Sequence, residues 1–203
     1  MFRFKITCIF FCLLLLIGGC AAKIANIGSK GENIICFGNS ITKGEGSTAG
    51  NDYPALLSRK LDLPVINAGV NADTTREALA RIERDVLEKN PRLVIVEFAS
   101  NDFLRGISKQ ETFGNLESIV SMIQQKGAMV VLAEVRVEYF QDDYVKAFQR
   151  LAGKRQALLI PNILGGILFN PELKSSDQIH PNDKGYDAIA ERIYKAIKPL
   201  LER

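Results

Sequence analysis

The chain reads as an α/β protein built on a five-stranded parallel sheet with helices covering both faces. Three observations lead there. Strand-like apolar runs alternate with helix-like stretches from Asn33 onward. The runs are almost continuously apolar, as at residues 93–98, which is how strands read when neither face meets water. The helix-like stretches carry apolar residues three and four apart, as at Leu79, Ile82 and Val86.

In order, residues 33–37 form the first strand and stop at Gly38. Residues 53–61 are helical, with Pro54 in the first turn, where its missing N–H has no partner to lose. Residues 64–68 are the second strand, and Asp73-Thr74-Thr75 opens the next helix. The third strand is 93–98. A helix near 112–126 ends at Gly127, a residue suited to the left-handed turn that closes helices. Residues 128–135 make the fourth strand, 142–157 a helix, and 157–160 a short fifth strand. The last helix, about 182–201, puts Tyr186, Ile189, Ile193 and Ile197 on one stripe. There is no repeat, no low-complexity tract and no second domain.

The 203 residues suffice for one domain with a substantial core, and a composition 47% hydrophobic excludes disorder. The formal charge is +3, and setting aside Arg3 and Lys5 leaves 24 basic against 23 acidic residues. A body so near neutrality gives no argument for a nucleic-acid partner. Residues 1–20 read as a targeting segment: a short basic start, an apolar stretch from Ile6 to Ile17, then Gly18-Gly19-Cys20. The ending resembles the bacterial lipoprotein box, in which the Cys is lipidated; a plain secretory signal cut near Ala21 or Ala22, or an uncleaved anchor, is the competing reading. Residues 21–32 are then a polar linker and 33–203 the domain. The expectation is an exported protein, anchored to a membrane through Cys20 and facing the periplasm or cell exterior. Cys8 and Cys12 lie in the leader. Cys36 has no partner for an intramolecular disulfide and sits in a strand, where apolar neighbours leave a thiol inert.

His180 is the only histidine. It stands in Asp177-Gln178-Ile179-His180-Pro181, just before the last helix, so an Asp three residues upstream is available to orient its ring. Ser40 lies in Gly38-Asn39-Ser40-Ile41-Thr42, just past the first strand and ahead of Gly44-Glu45-Gly46, a loop read as loose enough to admit a ligand. The α/β-hydrolase elbow Gly-x-Ser-x-Gly is not met, because Thr42 replaces the second Gly, and no phosphate-binding loop is present. Each piece alone has a plain structural reading: a turn for Ser40, caps for Asp177 and Asn182, a turn for Ser100-Asn101-Asp102. Ligands of parallel sheets bind beyond the carboxyl ends of the strands. Ser40, the Asn71–Asp73 loop and Asn101-Asp102 each follow a strand and are expected to share that rim.

Four blocks together resemble the SGNH/GDSL hydrolase family over nearly all of the chain from Asn33 to Leu201: residues 37–44 around Ser40, residues 67–75, residues 94–106 around Asn101, and residues 177–182 around His180. The bacterial acyl-CoA thioesterase/arylesterase/lysophospholipase enzymes are the nearest subgroup. The resemblance implies a flavodoxin-like three-layer α/β/α sandwich and an esterase or thioesterase using Ser40, His180 and Asp177, with neither metal nor cofactor. It implies oxyanion donors in the Ser40 N–H, a backbone N–H of the second block and the Asn101 side chain. Ala72 falls at the second-block position by spacing, with Gly69 as the alternative donor.

Three departures stand out. Asn39 replaces the usual Asp before the nucleophile, and Ala72 and Ala99 replace glycines. A methyl at Ala72 crowds the site and opposes a positive φ. The two methyl groups together are expected to narrow the acyl pocket. Phe103-Leu104 and residues 163–169 read equally as acyl-channel lining or as core. The expected partner is a small-molecule or lipid ester. A carbohydrate O-acetyl esterase and a non-catalytic acyl- or glycan-binding lipoprotein are the other readings.

Overall fold

The computed structural model describes residues 23–136 and 142–202. The leader and Cys20 lie outside the described residues. Five parallel strands form one sheet in the order β2-β1-β3-β4-β5. They are β1 (Asn33–Gly38), β2 (Val65–Gly69), β3 (Pro91–Glu97), β4 (Met129–Ala133) and β5 (Leu158–Ile160). The helices are α1 (Ser40–Lys43), α2 (Tyr53–Leu61), α3 (Thr75–Asp85), α4 (Ser100–Leu104), α5 (Lys109–Gln125), α6 (Asp142–Arg155) and α7 (Asp183–Leu201). The expected α/β/α sandwich is therefore the fold.

Strand side chains alternate between two cores, as the period of two requires. Ile34, Cys36, Leu93, Ile95, Met129 and Val131 face α2 and α7, where Leu57, Tyr186, Ile189 and Ile193 meet them. Ile35, Phe37, Val94, Val96, Val130 and Leu132 face α3, α5 and α6, against Ile82, Leu116, Ile119 and Phe148. Burial on both sides explains the near-continuous apolar runs.

Helix starts follow local chemistry. The Asp52, Ser108 and Asn182 side chains accept from the N–H groups of Ala55, Glu111 and Gly185. Thr74 and Glu77 close a reciprocal capping box at α3. Gly127 takes φ +81° just past α5, as its position predicted. Residues 163–169 divide: Ile163, Leu164 and Ile167 are core, while Phe169 is exposed. Phe103 packs edge-on against Tyr144 and Leu104 is exposed.

The sheet order reverses direction between β1 and β3, so the loops after these two strands flank a topological switch point at the carboxyl rim. The chain enters at the other rim. The Ala25 N–H donates to Gln156 O (2.8 Å), and the Asn26 amide donates to Gln124 O (2.8 Å) and Ala128 O (3.0 Å), just ahead of β5 and β4.

Candidate active site

Ser40 opens α1 directly after β1. Asn39 makes the turn: its side-chain oxygen accepts from the Ile41 N–H (3.1 Å), and its amide donates to Ser100 Oγ at the start of α4 (3.1 Å). The substitution of amide for carboxylate thus keeps the cap and adds a donor toward the neighbouring loop. Arg81 ties the underside together, donating from Nη2 to Gly38 O (3.0 Å) and from Nη1 to Ala68 O (2.9 Å), with Asp73 against its Nε at 2.6 Å. It is buried, and its charge lies 4.5 Å from the Phe37 ring centroid.

His180 arrives from the far end of the sequence. Its Nε2 lies 3.0 Å from Ser40 Oγ, and its Nδ1 lies 2.6 Å from Asp177 Oδ2. The other carboxylate oxygen of Asp177 accepts from Ser175 Oγ (2.7 Å), the Ile179 N–H (2.8 Å) and the His180 N–H (2.9 Å). Desolvation works to raise the Asp177 carboxyl. The hydrogen bonds from His180, Ser175 and the backbone outweigh it and hold the group well below the usual carboxylate range. An ionised Asp177 can only accept, so Nδ1 carries the proton and Nε2 presents its lone pair to the Ser40 hydroxyl.

The rim expectation holds in contacts. The Asn101 amide donates to Asp73 O (2.9 Å), and Asp102 accepts from the Thr75 N–H (3.0 Å) and, at short range, from the Thr75 hydroxyl. Asp102 is thus a buried tie between α4 and the start of α3. The Gly69 N–H is spent on Asn67 Oδ1 (2.9 Å), which removes it as an oxyanion donor. Among the described residues nothing accepts from the Ser40 or Ala72 N–H, and Asn101 has its second N–H unclaimed. Ala72 takes φ +65° and Ala99 φ +96° despite their methyl groups. Arg105 helps hold the first, donating to Ala72 O at 2.7 Å.

One expectation is corrected. The Gly44–Gly46 loop is packed, not loose. Tyr186 Oη donates to Glu45 O (2.7 Å), and a Cβ on Gly46 would come within 2.8 Å of both Pro181 O and Ser175. The glycines there permit close approach of backbone to the His180 turn.

Sequence reasoning passed over Glu97, Thr42 and Tyr53. Glu97 ends β3 with no solvent exposure, accepting on Oε2 from Thr42 Oγ1 (3.0 Å) and the Asn39 N–H (3.3 Å). Thr42 Oγ1 lies 2.9 Å from Tyr53 Oη. A single charge inside the apolar run 93–98 was the available signal. Cys36 is buried as expected, and burial pushes its thiol upward, leaving it unreactive. Among the described residues no group of three His, Cys, Asp or Glu side chains is arranged to hold a metal ion.

Comparison with known proteins bears on this arrangement. A family model described as GDSL-like lipase/acylhydrolase matches residues 36–188. The chain belongs to that family. This GDSL hydrolase is 31% identical over 170 residues to an arylesterase of Vibrio mimicus, covering 79% of this chain and 85% of that one. It is 28% identical over 177 residues to the thioesterase 1/protease 1/lysophospholipase L1 of Escherichia coli K12, covering 84% and 85%. The crystal structure of TesA matches with a TM-score of 0.77 at 27% identity, over 83% of this chain and 99% of that chain. The enzyme is an esterase-type hydrolase.

Proposed function

We propose that this GDSL hydrolase cleaves carboxylic esters or thioesters through an acyl-enzyme on Ser40, with His180 as general base and acid and Asp177 as its orienting carboxylate. The observation that carries this is the unbroken chain Ser40 Oγ–His180 Nε2 (3.0 Å) and His180 Nδ1–Asp177 Oδ2 (2.6 Å).

Ser40 Oγ attacks the substrate carbonyl as its proton passes to Nε2. The imidazolium is stabilised by ionised Asp177. Negative charge gathers on the carbonyl oxygen, where the Ser40 N–H, the Ala72 N–H and the Asn101 amide are the donors, each contributing about 2.7–4 kcal/mol to the lowered barrier. The C–O or C–S bond then breaks, and the leaving group takes the proton from Nε2. Water, deprotonated by the same nitrogen, releases the acid and restores Ser40.

The substrate is a small-molecule or lipid ester. Leu104 and Ile179 are each 67% exposed beside the Asn101 and His180 blocks, and so favour an apolar acyl group over a polar acetylated sugar. Residues 1–20 act as the export signal and Cys20 as the site of lipid attachment, so that hydrolysis takes place outside the cytoplasm. The test is turnover of p-nitrophenyl acetate, butyrate, octanoate and palmitate by wild type and Ser40→Ala. Serine-dependent turnover with its maximum beyond acetate is expected. A folded protein that hydrolyses these esters equally well without Ser40 overturns the mechanism, and an acetate-only profile overturns the substrate class.

A further inference from the structure

We propose that Glu97 is a positioning residue for the nucleophile, holding from beneath the two residues that bracket Ser40. This rests on the reading of Ser40 as the attacking group. One oxygen makes the connection. Glu97 Oε2 accepts from the Asn39 N–H on one side of Ser40 (3.3 Å) and from Thr42 Oγ1 on the other (3.0 Å). It therefore spans the first turn of α1 from the neighbouring strand. Thr42 is held in turn by Tyr53 Oη at 2.9 Å, which carries the tie into α2. Space for this arrangement exists because residue 38 is Gly: a Cβ there would lie 2.0 Å from Thr42 Oγ1 and 2.7 Å from Glu97 Oε2.

A purely structural plug would be built differently. An apolar side chain of similar volume fills a sheet end without desolvating a carboxyl, and Val96 and Phe98 on either side do so. Glu97 also leaves Oε1 buried with no hydrogen-bond partner. Such a group is destabilising, and what it provides in return is a fixed direction for the turn that aims Ser40 at His180.

The working form is the neutral acid. Burial pushes the carboxyl up to about 8, against hydrogen bonds from Thr42 and Asn39 that pull it down. The titratable groups that feel its charge are Tyr53 at the start of α2 and Tyr186 from α7, with Cys36 of β1 beside Tyr53. Burial holds Cys36, Tyr53 and Tyr186 above their ordinary values, so none of them loses its proton before Glu97 does. Ionisation of Glu97 places a negative charge beneath the turn, where it opposes the charge developing on the substrate oxygen beside the Ser40 N–H.

The experiment uses the full-length protein as wild type, Glu97→Gln and Glu97→Leu. Three quantities are measured between about pH 6 and pH 9: kcat and KM for p-nitrophenyl butyrate, and the rate of Ser40 phosphonylation by a fluorophosphonate, read by mass spectrometry. Gln keeps an accepting oxygen and carries no charge. It is expected to hold kcat within about threefold at neutral pH and to lose the alkaline decline that wild type shows. Leu is expected to cut kcat and phosphonylation together by about 10- to 100-fold, with KM moving less than about threefold. A folded Glu97→Leu protein with wild-type kcat and labelling overturns the inference, as does a Gln variant with the same alkaline decline as wild type. Should the Leu variant fail to fold, the Gln profile decides alone. A wild type that neither turns over ester nor is labelled at Ser40 overturns the functional reading and this inference with it, whereas normal labelling in both variants overturns the inference only.

Discussion

The turn that carries Ser40 and the turn that carries His180 meet at 3.0 Å, yet they are held by opposite means. Ser40 stands on buried groups drawn from across the fold: Glu97 from β3, Tyr53 from α2, Arg81 from α3 and Ser100 from α4. The His180 turn holds itself. Asp177 is 40% exposed, and its carboxylate accepts from four groups within residues 175–180. The Ser175 N–H donates to His180 O (2.9 Å), and the Asn182 amide donates to Glu172 O (2.9 Å) and Lys174 O (3.0 Å). Ser40 is thus placed by the whole domain, and His180 by a short segment that needs the domain only at its ends. Damage should follow the same division, with stability coupled to activity on one side and separated from it on the other.

The largest effects break the exposed side. His180→Ala is expected to lower kcat by about 10⁶-fold and Asp177→Asn by about 10⁴-fold. Thermal midpoints should move by only about 2–4 °C, because few buried groups are touched. Steady-state kinetics beside melting curves check this, and a collapse of the fold in Asp177→Asn would erase the contrast. Next comes Asn101→Ala, with an expected loss of about 100- to 1,000-fold in kcat and a small change in KM. A loss confined to KM would mean that Asn101 binds the ground state instead. The smallest effect concerns Ala72, exposed in the loop after β2. Ala72→Gly should relieve the positive φ and raise stability by about 0.5–1 kcal/mol, the αL penalty of Ala less the entropy of Gly, with kcat within about threefold. A lowered melting temperature would show that the methyl group packs usefully.

Much of this was legible in the sequence because it depends on repetition or on rare residues. Strands 33–37 and 93–98 announce themselves by nearly continuous apolar runs, and α7 by its stripe from Tyr186 to Ile197. A single histidine with an Asp three residues before it leaves little choice of base. The misses have a common physical source. Helices α1 and α4 are four and five residues long, too short for a 3.6-residue period to show. Ala72 and Ala99 keep the positive φ of the glycines they replace, which an alanine by itself does not announce. Glu97 was passed over because nothing in a linear chain says that Thr42, Asn39 and Tyr53 will close around it. The Gly44–Gly46 loop misled for a related reason: glycine marks both open loops and crowded ones, and only the approach of Pro181 separates the two.

The point at which the chain joins the sheet has a consequence for orientation. Ala25 and Asn26 are pinned beside Gln156 and Ala128, at the amino ends of β5 and β4, whereas Ser40 and Asn101 follow the carboxyl ends of β1 and β3. A strand of six residues such as β1 rises about 20 Å, and these two poles lie at opposite rims of the sheet. A tether upstream of Lys23 would therefore hold the domain at the rim opposite Ser40 and Asn101. An enzyme tethered there would sample what diffuses past it in the surrounding medium, and would have to tip over to touch the anchoring surface.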